Sequence, residues 1–159
     1  MTFTRETCQQ VDAICEAHGN NESHLLPILQ EAQELSPYHY ISQEVASYIA
    51  SKLNVTLAHV SAVISFFSSL STEPRGKHVI QICKSTACLV NGYQNIRDSL
   101  EEHLGIKVGQ VTDDQMFSLE YTECIGACDV SPAIRIDKTV HGNLTHEKVA
   151  TILSEIRGR

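Results

Sequence analysis

No apolar run in this chain of 159 residues approaches the roughly 18 residues of a membrane span, so direct membrane insertion is not expected. Basic residues are few: 12 Lys and Arg stand against 19 Asp and Glu, a formal net charge of −7. Phosphate binding needs clustered cations, so this balance argues against a nucleic-acid partner. The first ten residues, MTFTRETCQQ, have neither a basic n-region nor an apolar h-region, and no secretory signal is expected. The default setting is therefore cytoplasmic, where glutathione keeps ordinary thiols reduced. There is no G-x-G-x-x-G loop to cradle a dinucleotide, no nucleophile–base signature, and no C-x-x-C dithiol. Internal repeats and low-complexity tracts are absent as well.

What remains is the texture of a soluble globular chain, 42% apolar and 19% charged, with a change of period near STEPRGK (71–77). Pro74 and Gly76 mark a break there. Before it the spacing is helical. Residues 5–17 place Cys8, Val11, Cys15 and His18 on one face. Ser23 is the expected cap of a second helix, with Pro27 in its first turn and Leu25, Leu29, Ala32 and Leu35 along one side. A third helix over Gln43–Leu53 carries Val45, Tyr48, Ile49 and Leu53. Thr56 caps a fourth with Leu57, Val60, Ile64 and Phe67. The expectation is a small helical bundle over residues 1–72.

From residue 76 to 159 the pattern is mixed. HVIQIC (78–83) reads as a buried strand, 88–104 as a helix stopped by Gly105, and FSLEYTEC (117–124) as a half-buried alternating strand. Ala133–Asp137 and Thr139–His141 read as a hairpin across Lys138, and a last helix starts at Thr145. The class is α+β, a mixed sheet with helices.

Six cysteines need an explanation other than a disulfide framework. Cys83 and Cys88 are separated by four residues, Cys124 and Cys128 by three, and 35 residues lie between the pairs. Each pair falls at the C-terminal end of an expected strand, and in an α/β sheet those ends gather at one edge. Four thiolates meeting there suit zinc or an iron–sulfur cluster. Structural zinc usually takes tight C-x2-C knuckles, whereas a [2Fe–2S] rhomb needs longer loops whose N–H groups turn inward. Gly126 and Ala127 leave room for that, and a positive φ is open to Gly126. A Rieske centre would need histidines beside the cysteines. The plant-type ferredoxin spacing fails because residue 91 is Asn. Disulfides and zinc stand as minor alternatives. Cys8 and Cys15, seven apart on one helix, read as core residues. Lys84 and the helix terminus near Cys88 could offset negative charge. The eight histidines are dispersed, and His59, His78 and His141 receive no role.

ICKSTACLVNG, then ECIGACDVSPAIRID, then GNLT resemble the thioredoxin-like [2Fe–2S] subunit of the NADH-dehydrogenase module. Such subunits occur in respiratory complex I, with relatives in NAD-linked formate dehydrogenases and in soluble hydrogenases, electron-bifurcating ones included. LLPILQEAQE, ISQEVASYIASKLNVTLAHVSAVISFF and PRGKHVIQIC extend the likeness over roughly residues 24 to 157. Two departures stand out: Ser42 replaces a proline at the start of the third helix, and Ser65, Phe66 and Phe67 replace a TFY run.

The resemblance implies a thioredoxin-like [2Fe–2S] ferredoxin domain behind a helical bundle, with Cys83, Cys88, Cys124 and Cys128 as cluster ligands. It implies an electron-transfer subunit of an NAD(H)-dependent oxidoreductase complex, without a catalytic site of its own. FMN and NAD(H) would sit on a partner flavoprotein, which the helical bundle would meet, with further iron–sulfur subunits alongside. The alternative is a free-standing thioredoxin-like ferredoxin that shuttles electrons by diffusion.

Overall fold

The computed structural model describes residues 4–158; the first residues of the MTFTRETCQQ stretch and Arg159 lie outside them. The chain divides into two compact units, Met1–Arg75 and Gly76–Arg159.

The first unit holds α1 (Arg5–Ala17), α2 (Leu25–Glu34), α3 (Gln43–Leu53) and α4 (Leu57–Phe66). Three of them begin at a hydroxyl that accepts an otherwise orphaned N–H: Thr4 from Thr7, Ser42 from Val45, and Thr56 from His59. Ser42 thus supplies by capping what a proline would supply by its fixed φ. The expectation for Ser23 is not met. Asn21 caps a single 3-10 turn, Glu22–His24, and α2 follows from it without a side-chain cap.

The core of this unit is built from Val11, Cys15, Ile28, Leu29, Val45 and Ile49, all essentially inaccessible. Ala46 joins them, while Leu35 and Tyr48 are only half-buried. The segment after α4 is held by buried polar groups. The Gln33 amide donates to Ser69 O (3.0 Å) and its carbonyl accepts from Ser71 N (2.8 Å); the Arg75 guanidinium donates to Ser69 O (3.1 Å) and Ser68 O (3.2 Å). These bonds stand in for the ladder that an irregular segment lacks.

The second unit is a four-stranded sheet of β1 (His78–Cys83), β2 (Phe117–Thr122), β3 (Ile134–Ile136) and β4 (Thr139–His141), in the order β2-β1-β3-β4. β1 runs parallel to β2 in the register His78↔Phe117 to Cys83↔Thr122, and antiparallel to β3, with Ile80 opposite Ile136 and Ile82 opposite Ile134. A central strand of this kind is buried on both faces, which is why HVIQIC is mostly apolar; Gln81, buried as well, accepts from the Arg135 guanidinium (2.8 Å). At the hairpin turn Asp137 takes φ 53°, and its carboxylate accepts from Val79 N (2.9 Å) and pairs with His78 Nδ1 (2.8 Å).

The parallel pair requires a crossover, and α5 (Thr86–Val90) and α6 (Tyr93–Leu104) supply it. The single helix expected over 88–104 is in fact these two, parted at Gly92, whose φ of 76° a helix interior does not accept. Gly105 ends α6 in the left-handed conformation, as its position predicts. The last helix, α7 (His146–Arg157), starts at the Thr145 cap. Ile96 and Leu100 of α6 and Val149 and Leu153 of α7 share one core with Ile80, Ile82, Phe117 and Leu119.

Gly76 lies so close to the Phe117 and Ser118 backbone that a Cβ there would overlap it. Backbone cannot swing aside as a side chain can, so Gly76→Ala should cost about 1–3 kcal/mol. Urea titration read from the amide signals of Ile80 and Leu119 checks this, and a midpoint equal to that of the native chain would contradict it.

Candidate iron–sulfur centre

The parallel register brings the C-terminal ends of β1 and β2 side by side, and both cysteine pairs lie there. Cys83 is the last residue of β1, and Cys88 sits inside the short α5 rather than ahead of it. Cys124 follows β2 by two residues, and Cys128 opens a 3-10 turn, Cys128–Val130. Cys83 and Cys88 are buried, at 2% exposure each, while Cys124 and Cys128 are exposed.

Within the second pair the sulfurs are 3.9 Å apart. A tetrahedral metal with metal–sulfur bonds of about 2.3 Å spaces its thiolates by about 3.8 Å, so this pair already has the span of one metal's edge. Among the described residues no three His, Cys, Asp or Glu side chains group as ligands of a single ion. Pairs with spacers of four and three residues, longer than zinc's usual C-x2-C, suit a two-iron group better than one zinc ion.

Backbone donors join the loops through the sulfurs. The backbone N–H groups of Ser85, in its own loop, and of Ile125, in the other, favour the Cys83 thiolate, and that of Ala133 favours the Cys88 thiolate. Burial pushes the Cys83 thiol up, but these N–H donors, with the Cys88 thiol and the Ser85 hydroxyl, outweigh it and the net shift is downward. Cys88 moves the other way, raised by burial and then by Cys83 and the charge of Cys128. Cys128 is raised first by Cys124, then by burial, Cys83 and Asp129. Each thiolate formed therefore resists the next. Cationic iron relieves that repulsion, and the donor set fits the group.

Gly126 sits between the exposed pair with φ 79°, and a Cβ there would meet nothing within 4 Å. The space beside that residue is thus open. Lys84 is engaged locally, 3.7 Å from the Glu123 carboxylate and 5.8 Å from the centre of the Tyr121 ring. Its charge is partly offset by Glu123. Cys15 is fully buried in the first unit and Cys8 half-buried there, and neither joins the four. His59 is exposed on α4, His78 pairs with Asp137, and the imidazole of His141 is shifted down by burial.

Two sets of donors carry no signal in the sequence. The Ile125 and Ala133 N–H groups belong to the backbone and have no letter of their own. Asn91 stands out in the sequence only as the residue that breaks a ferredoxin spacing, yet its amide lies beside the second loop.

The architecture and its thiol-bearing edge are those of a small iron–sulfur protein. Residues 11–157 match the model of the thioredoxin-like [2Fe-2S] ferredoxin family, and the chain belongs to that family. Its α+β fold with N-terminal helices is the one that the resemblance implied. The chain is 34% identical over 151 residues to the NADP-reducing hydrogenase subunit HndA of Solidesulfovibrio fructosivorans, covering 95% of this chain and 85% of that one. It is 40% identical over 109 residues to a subunit of the NADH-quinone oxidoreductase of Escherichia coli K12, covering 69% of this chain and 66% of that protein.

Among solved structures, the NAD+-reducing [NiFe]-hydrogenase in its air-oxidized state superposes with a TM-score of 0.72 at 19% identity, over 85% of this chain and 23% of that one. Its H2-reduced state gives 0.74 at 18%, over 88% and 23%. At such identities the likeness is one of fold.

Gly126 within the second loop and Gly142 against it should both resist alanine, for different reasons. Gly126→Ala meets open space and should cost only its left-handed φ, about 1–2 kcal/mol. Gly142→Ala drives a Cβ into Val130 and should cost about as much or more, up to ~3 kcal/mol, through overpacking. Urea midpoints of the cluster-free chain compare them; a Gly142→Ala variant as stable as the native chain would contradict the packing.

Proposed function

We propose that the chain is an electron-transfer subunit holding one [2Fe–2S] cluster on Cys83, Cys88, Cys124 and Cys128, within a cytoplasmic NAD(H)-dependent oxidoreductase complex. The observation that carries the assignment is the meeting of two thiol pairs at one sheet edge, with the Cys124 and Cys128 sulfurs 3.9 Å apart. When bound, the cluster supplies a one-electron couple. The chain's residues hold the thiols in place, donate N–H bonds to the sulfurs and shield Cys83 and Cys88 from solvent. Hydrogen bonds to sulfur and restricted solvent access are among the factors that set the potential of such centres.

The two relatives compared above are named as subunits of nicotinamide-nucleotide oxidoreductases. This supports assembly over the free-standing shuttle. The partner in this reading is a flavoprotein that binds FMN and NAD(H), with further iron–sulfur subunits beside it. The helical unit is the docking part. Phe66 on α4 is 81% exposed and stands edge-on to Phe67 at 5.0 Å, with Ala62 exposed one turn earlier. An aromatic so exposed on a helix is typical of an interface anchor. No single helix among the described residues is long and apolar enough to cross a membrane.

Two experiments test this reading. Native protein purified without oxygen should contain about two irons per chain and give an S = 1/2 signal on one-electron reduction. Alanine at Cys83, Cys88, Cys124 or Cys128 should abolish that signal. Cys15→Ala should keep it at a packing cost of about 1 kcal/mol; a folded Cys15 variant without iron would overturn the ligand set. Separately, Phe66→Asp should leave the iron content unchanged but weaken co-purification with the flavoprotein roughly tenfold or more. Undiminished assembly would remove α4 from the interface, and a native chain that elutes alone would favour the shuttle.

A further inference from the structure

The two cysteine loops are joined by more than bonds to sulfur. Asn91, the residue that ends α5, turns its amide nitrogen both to Ala87 O (3.0 Å) and to Ser131 Oγ (2.7 Å). The Ser131 hydroxyl in turn donates to Cys128 O (2.9 Å). The direction of this relay is fixed by its members. Ala87 O can only accept, so the nitrogen of the Asn91 amide faces it, and the two N–H bonds serve its two acceptors. Ser131 has one proton, which goes to Cys128 O, and its lone pair receives Asn91. The relay starts three residues after Cys88 and ends on the carbonyl of Cys128, so it ties one ligand loop to the other. Lys84–Glu123, which also bridges the two loops, is longer, at 3.7 Å, and exposed, of a kind that contributes little.

We propose that Asn91 and Ser131 form a clasp that positions the Cys128 loop against the Cys88 loop and so sets how firmly the iron–sulfur group is held. The proposal rests on the cluster assignment above and deepens it. Without the Asn91 amide, Ser131 loses its donor and α5 loses this side-chain tie to the second loop. The second loop is then held from the β4 side, by the bonds of Asn143 N to Val130 O and Leu144 N to Pro132 O, and not from the Cys88 side. Asn91 acts through the Cys128 backbone rather than through a bond to sulfur. Loss of an outer partner of this kind typically weakens metal retention severalfold or more.

The test uses the full chain, native and with Asn91→Ala, Asn91→Asp, Ser131→Ala, Ser131→Thr and the double Asn91→Ala/Ser131→Ala change. Asn91→Asp is nearly isosteric but cannot donate, which separates lost bonding from lost fold. In the loaded protein, iron release to bathophenanthroline should accelerate roughly five- to tenfold in the first three variants. The g-values of the reduced signal should shift in the same three. Ser131→Thr keeps the hydroxyl and should behave as native, and the double variant should be no worse than the worse single change, as for two members of one relay.

In the cluster-free chain, alkylation of the buried Cys88 by iodoacetamide should rise by roughly fivefold with each of the first three variants. Native iron release, g-values and Cys88 alkylation in Asn91→Ala would overturn the clasp, as would fully additive effects in the double variant. A native chain that binds no iron would instead overturn the cluster assignment, and the Cys88 arm would still report on the loops.

Discussion

The parallel pairing of β1 with β2 is the constraint from which the candidate site follows. Because both strands point the same way, with Cys83 opposite Thr122, the chain leaves both at the same edge of the sheet. An antiparallel pair would have sent Cys83 and Cys124 to opposite edges. The same pairing forces a crossover between them. That crossover begins with α5, which carries Cys88, and continues into α6, whose apolar face closes the core over Ile80, Phe117 and Leu119. Topology thus brings the four thiols together before any of them interacts.

What holds the loops after that is a balance of unlike forces. Burial, and after it the neighbouring Cys83 and Cys128, push the Cys88 thiol up, and Cys124 pushes up that of Cys128 beside it. At Cys83 burial also raises the thiol, and the N–H groups of Ser85 and Ile125 from the two loops outweigh it together with the Cys88 thiol and the Ser85 hydroxyl. The outcome is a site that is half shielded and half open, with one pair buried and the other exposed. The glycine between the exposed cysteines keeps the second loop free of side-chain bulk.

Much of the fold is legible in the sequence because its periodicities are long and its caps explicit. Thr56 and Thr145 cap the helices that their positions predict, and α1 and α3 have the expected bounds. The pairing of cysteines with strand ends is legible too: HVIQIC ends in Cys83 as expected, whereas the strand expected over 117–124 stops at Thr122, two residues short of Cys124. The break at Gly92 is not, because Tyr93, Ile96, Leu100 and Leu104 continue the spacing of Leu89, and one glycine lowers helix propensity by only about 1 kcal/mol. Ser23 imitates a cap because Asn21, two residues earlier, offers the same chemistry and takes the position. Cys8 shares the face of Cys15 by spacing, but the buried stripe of α1 runs through Thr7, Val11 and Cys15 and passes it by. The cross-loop donors are invisible in principle, since a backbone N–H has no residue type and its target is set by tertiary structure.

The central claim is that Cys83, Cys88, Cys124 and Cys128 form one four-thiolate site for two irons. Mössbauer spectroscopy of the native protein, enriched in 57Fe and purified anaerobically, addresses this claim most directly. The account predicts two high-spin ferric sites with all-sulfur coordination, coupled to a diamagnetic ground state. On one-electron reduction it predicts one trapped ferrous and one ferric site. Stoichiometric zinc with no iron signal, or an iron spectrum that requires nitrogen ligands, would contradict it.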